Sequence, residues 1–150
     1  MVYAVNYRPS SWEGPVEEMV GVQRQALALA DIAVMNREEA LLLTGMQTPA
    51  DAAATIADMG PELIAITDGG EGAYVYGEGA LNFVAARRVE VAYDIGAGDT
   101  FHAGLVAAYL AGLSAEEIGR TAADAAALRI SRCASMESLP TWEEVRELSE

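Results

Sequence analysis

The chain has 150 residues, of which 52% are hydrophobic and 21% charged, a composition typical of one globular, soluble domain. Nine basic residues against 23 acidic ones give a formal net charge of −14, which argues against nucleic acid or an anionic membrane surface as a partner. All nine basic residues are arginine, so the lysine that a Walker-A loop or a Schiff-base enzyme needs is absent, and both classes are excluded.

The first third of the chain predicts a strand, a helix, a second strand and a second helix. A strand over residues 2–6 is followed by a helix over residues 15–30 and a short buried strand over residues 32–35. Asn36 then caps a helix that ends near Gly45, because asparagine accepts from unpaired amides at a helix start and glycine suits a helix end.

The middle of the chain predicts a helix, a buried strand and a hairpin. A threonine–proline pair starts a helix over residues 49–59, and residues 63–67 form the clearest buried strand. This strand leads into a glycine-rich turn. Residues 73–76 and 80–84 flank a Gly-Glu-Gly sequence, which is typical of a β-hairpin.

The last third predicts one more strand and three helices. A strand over residues 89–92 leads into a glycine-rich stretch and a helix of small residues that ends near Leu110. Capping boxes that begin at Ser114 and Thr141 start the last two helices, the first of which reaches about Arg132. Strands separated by helices imply a mostly parallel sheet with an inserted hairpin, so the predicted fold class is doubly wound α/β.

The stretch Gly96, Ala97, Gly98, Asp99 lies between a predicted strand and a predicted helix. Glycines allow consecutive amides to point toward one anion, and we expect Gly98 to need a positive φ or open space. A carboxylate beside such a site would repel phosphate, so the better use of Asp99 is to accept a proton from an attacking hydroxyl. The alternative is that Asp99 is only the N-cap of the helix.

Four motifs together resemble the PfkB, or ribokinase-like, carbohydrate kinases. Residues 96–101, followed by an Ala-Gly pair, resemble the second signature of that family, and residues 36–39 match its Asn-x-x-Glu motif. Residues 66–73 resemble the loop that contacts the ATP phosphates and ribose, and residues 140–145 resemble the usual family ending.

The resemblance implies a ribokinase-like three-layer α/β/α fold and ATP-dependent phosphorylation of a sugar hydroxyl, with Mg²⁺ as cofactor. Asp99 would be the base, and the amides of Gly96, Ala97 and Gly98 would form the anion hole. The residues implied in nucleotide binding are Asn36, Thr67, Asp68, Gly69, Gly70, Glu71 and Gly72, with Glu39 at the metal. Asn36 and Glu39 taken alone are also explained by a plain capping box.

The N-terminal segment suggests the substrate. Residues 6–12 resemble the Asn-x-Arg…Trp segment of 2-keto-3-deoxygluconate kinases, which implies that Asn6 and Arg8 face a sugar acid. Arginine suits this role because its planar group can grip a carboxylate with two parallel hydrogen bonds. The alternatives are a surface arginine beside a turn proline, and fructose, ribose or a nucleoside as the substrate.

The chain departs from the family pattern in three places. Tyr93 and Asp94 stand where the signature opens, which puts a monovalent-cation site in doubt. Ala4 stands where relatives of the Asn-x-Arg segment have aspartate, and residues 134–135 replace a common Gly-Ala. None of these changes removes the predicted catalytic carboxylate.

Residues 1–150 are predicted to form the C-terminal nucleotide-binding and catalytic part of a ribokinase-like domain. The resemblance finds no counterpart of the family's first half, with its sugar-binding motif and β-lid. We therefore expect a homo-oligomer or a complementing N-terminal half as the partner. The single cysteine, Cys133, and the lack of a visible secretory signal suggest the cytoplasm.

Two other function classes share features with this sequence. A non-catalytic nucleotide-binding or assembly module, derived from a sugar kinase, is the alternative to a kinase. A dinucleotide-dependent oxidoreductase is disfavoured, because Phe101 stands at the last glycine position of the Gly-x-Gly-x-x-Gly fingerprint.

Overall fold

The computed structural model describes residues 1–133 and 135–149, so Ala134 of the altered family ending lies outside the described residues. The strands are β1 (Val2–Ala4), β2 (Ile32–Asn36), β3 (Leu63–Thr67), β4 (Gly72–Gly77) and β5 (Ala80–Ala85). The α-helices are α1 (Val16–Leu27), α2 (Arg37–Thr44), α3 (Pro49–Ala57), α4 (Ala97–Leu110), α5 (Ala115–Ile130) and α6 (Trp142–Ser149). No helix in these ranges is long and apolar enough to cross a membrane.

The five strands form one sheet in the order β1-β2-β3-β4-β5, which confirms the predicted α/β class with a mostly parallel sheet. β2 pairs in parallel with β1 on one side and with β3 on the other. The first four residues of both β2 and β3 are buried, as expected of the apolar runs that form parallel strands. In the register of this pair Asn36 lies opposite Thr67, so the carboxyl ends of the two strands are neighbours.

The predicted hairpin is present, with strands slightly longer than expected. Its two turn residues, Glu78 and Gly79, have φ values of 55° and 77°, and a turn with both central φ values positive matches the twist of a tight hairpin. At the other end of β4, Gly72 lies against the β5 backbone. A Cβ atom at Gly72 would be 2.0 Å from the carbonyl oxygen of Val84, so only glycine fits there.

The chain divides into two compact units. The first contains residues 1–68 and 74–82, and the second contains residues 69–73 and the chain from residue 83 onward. The first unit is built around apolar side chains of β2, β3 and the helices beside them. Its most deeply buried members are Leu27, Ala33, Ala40, Leu43, Ala52, Ala53, Ile56, Ile64 and Ile66.

The second unit is organised by the pair of α4 and α5. At Gly104 the two helices come so close that an added Cβ atom would lie 2.9 Å from the Cβ of Ala125 and 3.1 Å from the Cα of Ala122. Contacts this short leave no space for a side chain. The Ala-Gly pair after the signature is therefore explained by helix packing.

A buried carboxylate attaches α6 to this unit. Asp124 of α5 accepts from the Arg87 guanidinium, with Nε and Oδ1 2.6 Å apart, and from the Ser149 hydroxyl at 3.0 Å. Arg87 also donates to the carbonyl oxygen of Leu148 at 2.9 Å. Three separate parts of the chain are thus joined through one side chain.

The predicted strand over residues 89–92 is wrong. No strand follows β5 in the described residues, and Val91 is 57% exposed. The amides of Ala92 and Tyr93 both donate to the carbonyl oxygen of Ile130, at 2.8 and 3.1 Å. This segment therefore places its backbone hydrogen bonds on the end of α5, and not on a neighbouring strand.

Candidate active site

The start of α4 is open. Gly96 is the N-cap residue, with φ 89° and no side-chain hydrogen bond to the helix, and the left-handed φ explains why glycine is needed there. The Gly96 carbonyl accepts from both the amide and the hydroxyl of Thr100, at 2.9 and 2.8 Å. The Ala97 amide makes a long bond of 3.4 Å to Asp94, and no partner is found in the described residues for the amides of Gly98 and Asp99.

The structure changes the predicted roles of two residues in this stretch. Gly98 lies inside α4 with open space around it, so the positive φ belongs to Gly96 and not to Gly98. Asp99 is exposed in the first turn of α4, and because Gly96 is the N-cap, the interpretation of Asp99 as the N-cap is wrong. Its carboxylate thus stands at the end of the helix where anions are stabilised.

A residue that sequence reasoning missed lies beside this helix start. Arg129, in the last turn of α5, is 8% exposed, and its Nε would be 3.3 Å from a Cβ atom at Gly96. The available signal was an isolated arginine in the alanine-rich run of α5, where a buried side chain is expected.

The start of α2, in contrast, is closed by a capping box, as the structural alternative predicted. The Asn36 side chain accepts from the Glu39 amide, and the Asn36 amide donates to Glu39 Oε2, both at 2.8 Å. The other oxygen of Glu39, Oε1, accepts from the Tyr7 amide at 2.6 Å. Glu39 is 8% exposed, so its buried charge is compensated by two backbone donors.

Three predicted nucleotide-binding residues lie together in the first unit. Asn36 and Thr67 are opposite each other at the ends of β2 and β3, and Asp68 follows directly. Asp68 accepts from Arg37 at 2.8 Å, a contact that the motif did not predict. In an open parallel sheet the carboxyl ends of the strands are where ligands bind, so the position fits the prediction.

The glycine-rich turn after β3 contains two kinds of glycine. Gly69 and Gly70 have no atom within 4 Å of an added Cβ, and Gly69 has φ 55°. Residues Gly69–Glu71 form one short 3-10 turn, and the Glu71 carbonyl accepts from the Ala86 amide at 3.1 Å. Gly72 is fixed by its contact with β5, so only the first part of the turn offers room for a ligand.

The segment predicted to recognise the substrate is exposed. Asn6 has φ 42° and Arg8 precedes the short 3-10 turn Pro9–Ser11, with both side chains on the surface. The bond between Tyr7 and Glu39 holds this segment against the start of α2. The structure therefore brings together Asn36, Glu39 and the backbone between Asn6 and Arg8.

The donor set for a metal is small. No group of three or more His, Cys, Asp or Glu side chains in the described ranges is arranged to hold a metal ion. Magnesium binds through one or two carboxylates, phosphate oxygens and several waters, so it does not need such a group. Both Glu39 oxygens already accept amides, and their remaining lone pairs could accept from water on a metal.

A family model and curated relatives agree on one family. The model described as pfkB family carbohydrate kinase matches residues 1–142. A ribokinase from Haemophilus influenzae is 34% identical over 131 residues, which cover 84% of this chain and 43% of that protein. A 2-dehydro-3-deoxygluconokinase from Bacillus subtilis is 33% identical over 141 residues, which cover 93% of this chain and 43% of the relative. The chain thus spans less than half the length of both relatives.

Solved structures have the same fold. A candidate Ribokinase II from Escherichia coli, in complex with ATP and Mg²⁺, superposes with a TM-score of 0.82 at 27% identity, over 96% of this chain and 46% of that one. A double mutant of a fructokinase from Vibrio cholerae, with fructose, ADP and a potassium ion bound, gives a TM-score of 0.82 at 26% identity, over 99% of this chain and 50% of the other.

Proposed function

Because this chain belongs to the PfkB family of carbohydrate kinases, we propose that it contains the ATP-binding and catalytic part of a kinase for a sugar or sugar acid. The observation that supports this most directly is the open start of α4. Two amides there have no acceptor in the described residues, and an exposed carboxylate stands in the same turn. That pairing suits transfer of a phosphoryl group to a hydroxyl.

The second unit supplies the groups for the transfer. The hydroxyl attacks the γ-phosphorus of ATP, the bond from that phosphorus to the β–γ bridging oxygen breaks, and Asp99 accepts the proton of the hydroxyl. The amides of Gly96, Ala97 and Gly98 donate to the oxygens of the transferring group, where charge develops. Gly69 and Gly70 leave space for the nucleotide, with Glu71 and Gly72 completing that turn.

The first unit supplies nucleotide and metal contacts. Asn36, Thr67 and Asp68 lie at the carboxyl ends of β2 and β3, where a nucleotide would be bound. Magnesium on the ATP phosphates would neutralise part of their charge. Glu39 would accept from water on that metal while its two backbone bonds hold it in place.

Recognition of the substrate is assigned to the segment after β1. Arg8 is exposed and would grip the carboxylate of a sugar acid such as 2-keto-3-deoxygluconate, with Asn6 beside it. The relative named 2-dehydro-3-deoxygluconokinase supports a sugar acid as the substrate, while the ribokinase relative keeps ribose as the alternative. Replacing Arg8 with alanine should raise the KM for a sugar acid much more than for a neutral sugar.

The sheet also suggests how the protein associates. In the described residues β1 is at one end of the strand order and pairs only with β2, and both Met1 and Val2 are exposed. An exposed strand edge with apolar side chains recruits another strand. We expect a homo-oligomer, or a complex with an N-terminal half, and light scattering of the purified chain tests this; a monomer at all concentrations would contradict it.

The deciding experiment measures nucleotide binding and turnover separately. Calorimetry with ATP and Mg²⁺ tests the nucleotide site, and release of ADP across a panel of sugars and sugar acids tests the kinase. In the presence of a complementing N-terminal half, ATP binding together with sugar-dependent ADP release is expected. Binding without ADP release for any sugar would favour the alternative, a non-catalytic nucleotide-binding module. Absence of both would reject the proposal.

A further inference from the structure

Arg129 is a buried cation without a carboxylate partner. Its guanidinium carbon lies 5.3 Å from the centre of the Tyr93 ring, and no carboxylate in the described part of the chain is within ion-pair distance. Its Nη1 atom is buried and has no hydrogen-bond partner there. A buried charge is normally paired, and a buried donor is normally satisfied, so this group requires an explanation.

The aromatic ring compensates Arg129 only in part. A tyrosine face attracts a cation, but it accepts no strong hydrogen bond from a guanidinium edge. Tyr93 is one of the two residues that depart from the opening of the family signature. The segment around it is fixed by two hydrogen bonds from backbone amides to the carbonyl oxygen of Ile130. The ring therefore holds the guanidinium in one place, and Nη1 is left without an acceptor in the described residues.

The guanidinium lies against Gly96, the N-cap residue of α4. A Cβ atom at Gly96 would be 3.3 Å from Nε, 3.8 Å from Nη2 and 4.0 Å from Cζ of Arg129. The N-terminus of a helix has a partial positive charge, so a second positive group beside it is unfavourable unless an anion joins them. The amides of Gly98 and Asp99, which have no acceptor in the described residues, open from the same turn.

We propose that Arg129 is the built-in cation of a phosphate-group site at the start of α4. It provides a guanidinium donor next to the helix amides, so that a phosphate oxygen is bound by backbone and side chain together. The proposal rests on the proposed function, which assigns the transferring phosphoryl group to the same amides. It adds a binding residue that none of the four sequence motifs contains.

The proposal also specifies the effect of monovalent cations. A fixed guanidinium repels a metal cation placed nearby, so phosphate binding at this site should not depend on potassium. The fructokinase structure, which has a potassium ion bound, would suggest the opposite by analogy. Phosphate binding should therefore be equal in potassium, sodium and tetramethylammonium chloride at matched ionic strength. A requirement for potassium would overturn the role of Arg129 as the cation of this site.

The main test uses calorimetry to measure the binding of inorganic tripolyphosphate and of ADP. Arg129→Met keeps most of the side-chain volume but removes the charge. It should lower the affinity for both probes roughly 30-fold or more, which is the scale for removing one partner of a buried charged contact. Arg129→Lys should recover part of the affinity. The matched control is Arg120→Met, which removes an exposed arginine of the same helix that is paired with Glu116. It should bind both probes as the unaltered protein does.

Wild-type protein offers a second measurement in case the Arg129 variants do not fold. Arg129 is the arginine with a buried side chain among the described residues, so its guanidinium protons should exchange slowly and be visible by ¹⁵N NMR. Tripolyphosphate should shift these signals. Unshifted signals at saturating probe, or full affinity in Arg129→Met, would overturn the inference. Sugar-dependent ADP release that survives in that variant would leave the proposed kinase function standing alone.

Discussion

The starts of α2 and α4 solve the same problem in opposite ways. Every α-helix begins with amides that lack partners. In α2 a capping box satisfies the amides of Asn36 and Glu39, and the other oxygen of Glu39 accepts from the Tyr7 amide. In α4 the N-cap is a glycine without a side chain, and two amides stay unpaired in the described residues. The start of α2 is thus capped by side chains of the chain itself, and the start of α4 is left open at the proposed phosphate site.

The strongest test of the open start is the carboxylate in its first turn. In protein complemented with an N-terminal half, Asp99→Asn should lower turnover roughly 10²–10⁴-fold, because an amide cannot accept the proton of the attacking hydroxyl. ATP affinity should change little, which calorimetry with Mg²⁺ and ATP can check. Asp58→Asn is the matched control, since Asp58 is an exposed carboxylate at the end of α3. Turnover close to normal in Asp99→Asn would remove this residue from the mechanism.

Two glycines of α4 separate ligand binding from packing. Gly104→Ala places a methyl group 2.9 Å from Ala125 and should lower the free energy of unfolding by about 1–3 kcal/mol. Gly98→Ala meets no atom and should raise it by about 0.5–1 kcal/mol, because alanine favours a helix. Chemical denaturation measures both values.

The two variants should rank in the opposite order when nucleotide affinity is measured: Gly98→Ala should be the more affected. The methyl group of Gly98→Ala occupies the open space beside the unpaired amides, so ATP affinity should fall roughly tenfold, or about 1.4 kcal/mol. The folded fraction of Gly104→Ala should bind ATP normally. Normal ATP affinity in Gly98→Ala would mean that this opening is not the phosphate site.

The closed start of α2 can be compared with an exposed capping box elsewhere in the chain. Glu39→Gln loses one of the two backbone bonds, because only one atom of the amide accepts, and should cost about 1–3 kcal/mol of unfolding free energy. Glu117→Gln changes the exposed box that Ser114 starts and should cost less. Thermal unfolding compares the two; equal losses would show that burial adds nothing at Glu39.

The smallest expected effect concerns pH and a third closed helix start. Glu144 caps α6 through Thr141, and hydrogen bonds from Arg132 and from the Thr141 amide lower the pKa of its carboxyl from about 4.5 to about 2. Because the folded pKa lies below the unfolded one, this contribution is complete above pH 4.5 and is lost as the pH falls toward 2.

Acid titration followed by circular dichroism checks the Glu144 prediction. Glu144→Gln should reduce the pH dependence of unfolding between about pH 4.5 and 2. Arg132→Met should do the same, since the guanidinium is the main cause of the shift. If both variants lose stability in acid as steeply as the unaltered protein, other carboxylates govern that range.

The features that the sequence predicted correctly depend on short-range rules. The capping boxes at Asn36, Ser114 and Thr141 involve residues three positions apart, so local chemistry identifies them. The buried strand over residues 63–67 was likewise evident from its apolar run. The family motifs added candidate roles, which remain predictions for the individual side chains.

The errors arose where partners are distant in the sequence. Residues 89–92 suggested a strand, but the amides of Ala92 and Tyr93 donate to the carbonyl oxygen of Ile130, a contact that no local pattern shows. The burial of Arg129 depends equally on how α5 packs beside Gly96. The pairing of Arg37 with Asp68 joins the ends of two strands and needs their register to be known.

The close approach of α4 and α5 at Gly104 has a consequence for local opening. Because α4 and α5 touch through backbone and methyl groups, neither helix can open without breaking its contact with the other. Their inner amides should therefore exchange hydrogen together and slowly, as one cooperative unit. The first amides of α4 have no helical acceptor and should exchange rapidly. A bound phosphate would convert the fastest-exchanging amides of this unit into protected ones, and the time scale of exchange would then report occupancy at single-residue detail.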